Sequence, residues 1–181
     1  MAAQETGPAE SLGMSVHTLE TERLLLRRFV DSDAEAFFRL NSEPDIVRFT
    51  ARKPLAHVDE AKAVLASAAF RTDEQIGLGR FACGEKTTGQ VIGLVGLKPP
   101  TELAHVDMGF RFLKEVWGKG YATEAAAAII QYAKATLLIE RVIATVFPEN
   151  IGSIRVLEKL GLTLTGIVRL AVAEQELLLY Q

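Results

Sequence analysis

The sequence predicts a mixed α/β fold, a mostly antiparallel sheet with one parallel pair of strands, flanked by helices. Three observations predict it. Strand-like runs at about 80–85 and 90–97 are joined by Lys86-Thr87-Thr88-Gly89, the composition of a hairpin turn. A further strand at about 105–113 follows directly, so three successive strands form an antiparallel meander. A long helix then separates that strand from another at about 141–146, and such a crossover calls for a parallel pair. This order fits neither a doubly wound sheet nor a barrel.

Leu24, Leu26 and Arg28 alternate with Arg23, Leu25 and Arg27, a first strand ending near Phe29, with the fold beginning at Leu19. Asp31-Ser32-Asp33 offers an N-cap to a helix whose positions Ala34, Phe37, Phe38 and Leu40 have helical spacing. Glu43-Pro44-Asp45 breaks the chain and opens a short helix through Val47 and Phe49. Ala61, Val64, Leu65 and Ala68 line one face of a third helix, at about 58–70. The hairpin supplies the second and third strands, and Lys98-Pro99-Pro100 ends the latter, since proline cannot donate to a central ladder. The fourth strand leads through Glu115-Val116-Trp117-Gly118-Lys119-Gly120 into a helix at about 121–136, rich in strong helix formers. After the fifth strand comes a helix at 150–160 with Gly161 as its stop. Two last strands lie near 163–170 and 176–181. Residues 1–15 show no periodicity and read as a flexible tail, and 16–181 as a single domain.

At 181 residues, 49% apolar and 24% charged, the chain can bury a core without disulfides or metal. It has no run of about 18 apolar residues, so no membrane span is expected. A net charge of −3 disfavours a general nucleic-acid binder. The single Cys83, in an apolar setting, reads as an inert buried thiol, because a catalytic thiolate wants a basic or helix-terminal setting. No basic segment followed by an apolar stretch opens the chain, and a cytoplasmic location is expected.

Gly118-Lys119-Gly120 stands between a strand and an Ala-rich helix. Glycines let the backbone approach a ligand, and the helix start adds unpaired N–H groups and a positive dipole end, together an anion cradle suited to a pyrophosphate. A tight strand–helix turn explains the same glycines, and spacing alone leaves both readings open. The Rossmann fingerprint is missing its third glycine, because that residue is Thr123, and Glu140 precedes a strand where a ribose-binding acid would follow one. The P-loop is missing too, because Lys119 is followed by Gly120 rather than by Ser or Thr.

Residues Trp117-Gly118-Lys119-Gly120-Tyr121-Ala122-Thr123-Glu124-Ala125 resemble the acetyl-coenzyme A pyrophosphate loop of the GNAT superfamily of N-acetyltransferases. The stretch from Asn150 through Ser153 and Leu157 to Gly161 resembles that family's next motif, and Thr21-Glu22-Arg23-Leu24-Leu25-Leu26-Arg27 is similar to its first strand. The branch resembled is that of ribosomal-protein alanine N-acetyltransferases. The resemblance implies a seven-stranded sheet in which parallel strands four and five splay apart to admit acetyl-CoA as co-substrate. It implies contacts to the acetyl-pantetheine arm from the backbone of Phe110, Arg111, Phe112 and Leu113. The pyrophosphate is then expected on the amides of Val116, Trp117, Gly118, Lys119, Gly120, Tyr121 and Ala122, with Thr123 beside them, and Asn150 and Ser153 near the arm.

The family's usual tyrosine acid is replaced here by Leu157, and the branch's serine, matched by Ser153, would protonate the leaving thiolate instead. The alternative for Ser153 is a helix first-turn residue bonding to nearby backbone. Asp107, on the fourth strand, is the candidate to take the amine's proton, its alternative being an exposed strand residue or a structural ion pair. His105, expected on the same strand face, and Glu174 and Glu176 near the last hairpin are weaker candidates. Glu115 departs from the family pattern and is expected to point outward, with Lys119 as the compensating charge. Trp117 reads as a packing anchor for the loop. Arg155 and Lys159 read as a solvated face or as ligands of the 3′-phosphate, and Arg48, Phe49 and Thr50 as shaping the acceptor pocket.

The expected function is acetyl-CoA-dependent transfer of an acetyl group to a primary amine, directly within a ternary complex. The acceptor is a protein N-terminus, such as that of a ribosomal protein, or a small-molecule amine. The alternative is a non-catalytic acyl-CoA-binding or regulatory module; an open acceptor cleft beside Ser153 favours the enzyme, a filled one the module. A nucleotide-binding protein is disfavoured by the missing phosphate motifs. The expected partners are acetyl-CoA and the amine, with no direct nucleic acid, membrane or metal, in a monomer or homodimer.

Overall fold

A computed structural model of the chain describes residues 18–50, 52–100, 102–171, 173 and 175–181, apart from the side chains of residues 69, 72, 73 and 75. The expected tail at 1–15 and Glu174 lie outside the described residues.

The strands are β1 (Leu19–Glu20), β2 (Leu24–Arg28), β3 (Gly79–Glu85), β4 (Val91–Lys98), β5 (Val106–Phe112), β6 (Val142–Val146), β7 (Leu164–Val168) and β8 (Leu177–Tyr180). They form one 8-stranded sheet in the order β1-β2-β3-β4-β5-β6-β8-β7. The helices are α1 (Ala34–Ser42), α2 (Pro44–Val47), α3 (Val58–Ala66), α4 (Ala68–Gln75), α5 (Tyr121–Ala135) and α6 (Ile151–Lys159). The sequence's fourth and fifth strands are therefore β5 and β6.

The strand count is eight rather than seven because the chain doubles back before the expected first strand. Leu24 N–H donates to Thr21 Oγ1 at 3.0 Å and Thr21 N–H donates to Leu24 O at 2.9 Å, so Leu19 and Glu20 pair antiparallel with Leu26 and Leu25. The third expected helix is two. Ser67 leaves helical geometry at φ −69°, ψ 143°; its hydroxyl donates to Val64 O at 2.7 Å and accepts from Phe70 N–H at 3.3 Å. One serine thus closes α3 and caps α4, the competition with helical bonding that short hydroxyl side chains bring. Asp33 serves α1 without capping it: its carboxylate accepts from Val30 N–H at 2.9 Å and pairs with Arg27 at 2.6 Å, holding a 3-10 turn at Asp31–Asp33.

Both sheet faces are covered. On one, α5 lies against β4 and β5, and Tyr132 meets Phe81 edge-on at 5.7 Å. Gly93 is required there, since a Cβ would stand 2.2 Å from the Phe112 ring. On the other face, α1 and α4 pack against β4 and β3, and Phe29, Phe37 and Phe70 form an edge-to-face triad with centroids 5.3 to 6.1 Å apart. No helix among the described residues is long and apolar enough to cross a membrane.

The break in the sheet is the feature that positions the site. The parallel pairing of β5 with β6 consists of Val106↔Val142 and Asp107↔Ile143, after which β6 turns to pair with β8. The two strands splay from Asp107 onward, as the family resemblance implied.

Candidate active site

The backbone of β5 decides what the splay exposes. Leu113 N–H donates to Ile92 O at 2.9 Å, and in an antiparallel ladder such directly bonded pairs alternate with pairs that turn outward. In the register Leu94↔Arg111, Gly96↔Gly109 and Lys98↔Asp107, the odd residues of β5 bond to β4. The backbone groups of Met108, Phe110 and Phe112 therefore face the gap left by β6. Phe112 O is taken by Trp117 Nε1–H at 2.7 Å. Of the residues expected here, Arg111 and Leu113 direct their backbone to β4, Phe110 and Phe112 direct theirs into the gap, and Met108 joins them. The strand alternation was readable from sequence, but its phase was not.

The loop after β5 divides in the same way. Val116 N–H donates to Leu113 O and Trp117 N–H to Lys114 O, both at 3.1 Å, closing the 3-10 turn Lys114–Val116. Glu124 N–H makes the first bond of α5, to Gly120 O at 3.0 Å. Among the described residues none accepts from the N–H groups of residues 118–123, the loop and first turn of α5. Gly118 (φ 74°) and Gly120 (φ 85°) are both in the left-handed region, so glycine is needed for the shape of this row. Trp117 anchors the loop by its indole N–H while remaining 48% exposed.

Arg23 and Glu124 hold the loop in place, and no local pattern pointed to this pairing. The Glu124 carboxylate accepts from Thr21 Oγ1–H at 2.6 Å, from Arg23 N–H at 2.8 Å and from Arg23 Nε–H at 2.7 Å. Arg23 Nη1–H donates to Lys119 O at 2.8 Å, and its guanidinium lies 4.2 Å over the Tyr121 ring, whose hydroxyl donates to Glu85. Burial pushes the Glu124 carboxyl up, but the bonds from Thr21 and Arg23 outweigh it and hold it below the usual range. Glu115, the expected departure, pairs with Arg39 at 2.8 Å. Lys119, Arg155 and Lys159 are exposed.

Between β5 and β6 opens a cleft of about 480 Å³. Met108, Gly109, Phe110 and Arg111 line one wall, Ala144 to Phe147 the other, with Asn150, Ser153 and the buried Leu157 beyond. Asn150 Oδ1 accepts from Ser153 N–H at 3.1 Å, so this side chain caps α6 and places Ser153 in its first turn, on the cleft. Phe49 and Thr50 also line it; the Phe49 ring stands 6.4 Å from that of Phe147 and is capped by Arg48 at 4.3 Å.

Asp107 stands where the splay begins. Its side chain is 19% exposed, Oδ2 accepts from Lys98 Nζ–H at 3.2 Å, and Oδ1 is buried without a hydrogen-bond partner. Burial raises its pKa, and Lys98 offsets part of that. His105 does not share this face. It precedes β5 and lines a separate groove with Glu140 and Arg141, because the strand alternation begins only at Val106. Glu176 pairs with Arg169 at 3.6 Å. Cys83 is fully buried, and burial pushes its thiol far up. Among the described residues no cluster of His, Cys, Asp and Glu is arranged to hold a metal.

The chain matches the sequence model of the acetyltransferase (GNAT) domain over residues 23–163. It is 31% identical over 155 residues to the uncharacterized N-acetyltransferase p20 of Bacillus licheniformis, covering 85% of this chain and 86% of that protein. The crystal structure of an acetyltransferase from Agrobacterium tumefaciens superposes with a TM-score of 0.77 at 26% identity, over 96% of this chain and 98% of the other. RimJ of Mycobacterium smegmatis, solved in complex with CoA-disulfide, shares the fold with a TM-score of 0.78 at 20% identity, over 92% and 87% of the two chains. Since the family model spans both the splayed strands and the glycine loop, the chain belongs to the GNAT acetyltransferase family.

Proposed function

We propose that this acetyltransferase takes acetyl-CoA at the loop of residues 118–123 and in the splay, and transfers the acetyl group directly to a primary amine entering the cleft. The observation that carries the reading is the row of unaccepted N–H groups over residues 118–123, adjoining the outward backbone of Met108 and Phe110. A pyrophosphate fits this row on two grounds. The amides lie at the positive end of the 15-residue α5, and the nearest carboxylates are already engaged, Glu115 by Arg39 and Glu124 by Arg23. Lys119 adds an exposed cation. Phe110 and Met108 would hold the pantetheine arm as an added strand does, through backbone bonds.

When bound, acetyl-CoA supplies a thioester whose C–S bond breaks as the acceptor nitrogen forms the amide bond. Asp107 accepts the proton that the amine must lose, directly or through one water. Ser153 Oγ–H donates a proton to the departing sulfur and regains one from solvent. The open cleft beside Ser153 favours catalysis over a binding module, and Leu157, buried where the family tyrosine would stand, leaves the acid role to Ser153. The acceptor is a small amine or a protein N-terminus. A thiol-release assay with acetyl-CoA, run across small amines and peptides, tests this. Release that depends on an amine is expected, whereas acetyl-CoA binding with no amine-dependent release from any acceptor would return the chain to a binding role.

A further inference from the structure

Strand β5 carries Arg111 on the same face as Asp107, since alternate strand residues share a face. The Arg111 side chain reaches the end of α1, where Nη1–H donates to Asn41 Oδ1 at 2.6 Å and to Leu40 O at 3.4 Å. Leu40 O lies in the last turn of α1, where carbonyls have no partner within the helix, and a cation there also meets the negative end of the helix dipole. Burial, the largest influence on it, pushes the Arg111 guanidinium down to about 10. A partly desolvated guanidinium bonded to neutral oxygens is a costly way to join a helix to a strand.

Asn41 is a junction. Its Nδ2–H donates to Phe37 O at 2.6 Å, inside α1, and its backbone oxygen accepts from Leu55 N–H at 2.8 Å. The chain therefore leaves α1 at Asn41 and returns to the same residue at Leu55, a surface loop whose ends are bonded together. The segment between them contains α2 and supplies Phe49 and Thr50 to the cleft. Thr50 is fixed within it, N–H and Oγ1–H both donating to Val47 O, at 2.8 and 2.9 Å. Phe49 meets Phe147 of the opposite wall, the ring centroids 6.4 Å apart. Two ion pairs, Lys114 with Asp45 and Arg39 with Glu115, also join this region to the segment after β5, but exposed pairs contribute little. The part-buried bond of Arg111 to Asn41 is the stronger tie.

We propose that Arg111 is a positioning residue for the acceptor: through Asn41 it hangs the wall of Phe49 and Thr50 on β5, the strand whose outward backbone at Met108 and Phe110 would hold the thioester arm. The proposal rests on the acetyl-transfer reading of the same cleft. It adds a fixed relation between the wall that meets the amine and the strand that carries Asp107. Arg111 acts through Asn41 and not on either substrate. Removing the tie frees the wall to shift against β5, and a misplacement of about 1 Å in a positioning group can cost about 10²-fold in rate.

Arg111→Met keeps an unbranched apolar stem and removes both hydrogen bonds, and Arg111→Lys restores a single donor group. Thiol release from acetyl-CoA is followed with methylamine, the smallest primary amine, and with phenethylamine, spermidine and an alanine-initiated tetrapeptide, which are large enough to meet the wall. In Arg111→Met, kcat/KM for the fastest of the large acceptors should fall at least about tenfold more than that for methylamine, chiefly through KM, with acetyl-CoA affinity unchanged by calorimetry. Arg111→Lys should recover part of the loss. Asn41→Ala should reproduce it, and the Arg111→Met, Asn41→Ala double variant should lose little beyond either single one, since the two residues act as a unit. Hydrogen exchange gives a reading that needs no acceptor: the Leu55 amide should exchange faster in Arg111→Met while the amides of α5 keep wild-type rates. Equal losses for methylamine and the large acceptors, which a lowered folded fraction would produce, would overturn the proposal. So would additive losses in the double variant, or an unchanged Leu55 amide in a folded Arg111→Met. Acetyl-CoA binding without amine-dependent release from any acceptor would instead remove the acetyl-transfer reading on which it rests.

Discussion

In the role of base proposed for it, Asp107 is subject to influences that oppose each other. Burial disfavours its charge, and the Lys98 ammonium 3.2 Å away restores part of it. The net shift is upward, so the ionised form needed to accept a proton is lost at a higher pH than for an exposed aspartate. Lys98→Met removes the compensating charge, so the acidic limb of the rate profile should move to higher pH. Asp107→Asn should lower kcat by about 10²-fold and abolish that limb. A Lys98→Met profile superimposable on the wild type would remove Asp107 from proton transfer. Ser153 is tested separately, since its backbone N–H already caps α6 through Asn150 whatever its hydroxyl does. Ser153→Ala should cost about 10²-fold in kcat with acetyl-CoA affinity unchanged. An equal rate would leave Ser153 only its place in the helix turn.

The loop between β5 and α5 works as an element because a side chain about a hundred residues away clamps it. Gly120→Val places a branched Cβ at φ 85°, where the built Cβ already approaches Arg23 Nη2 at 3.3 Å. Calorimetry should show acetyl-CoA affinity falling at least about tenfold, roughly 1.4 kcal/mol, and unchanged affinity in a folded variant would move the pyrophosphate elsewhere. Glu124→Gln should weaken binding as well, and it carries a pH signature. The Glu124 carboxyl is held below its ordinary value, so its stabilising effect is present above the unfolded pKa and disappears as pH falls through the folded one. The acid-induced loss of stability should therefore be smaller in Glu124→Gln than in the wild type, and identical acid profiles would contradict the clamp. The glycine row and the helix start were legible in the sequence because both are local signals. The Arg23–Glu124 pair lay within two quoted motifs, yet nothing local linked the residues, and ladder phase alone decided that Met108 rather than Arg111 turns its backbone outward.

Across the whole molecule, strand order was legible because turn chemistry and the meander are sequential, and the splay followed from a family resemblance. The errors fell where a single side chain overrides a period, at Ser67 within one expected helix and at Thr21 before one expected strand. The assembled molecule also constrains the order of catalytic events. A ping-pong route needs a nucleophile that can carry the acetyl group between substrates. Cys83 is unfit for it: it has no accessible surface, it lies in β3 against Leu26 and Gly93 of the neighbouring strands, and burial holds its thiol far above the range in which a thiolate forms. The cleft, in contrast, is lined by both splayed strands and by Ser153, so a thioester and an amine can be held in it together. Steady-state double-reciprocal plots should therefore intersect, with no burst of CoA before the amine is added. Cys83→Ala should keep its activity, and any loss should appear as lowered stability, because the substitution empties space in a close-packed core. Parallel lines together with an inactive but folded Cys83→Ala variant would mean that β3 opens during turnover to expose the thiol, and would replace direct transfer with an acyl-enzyme route.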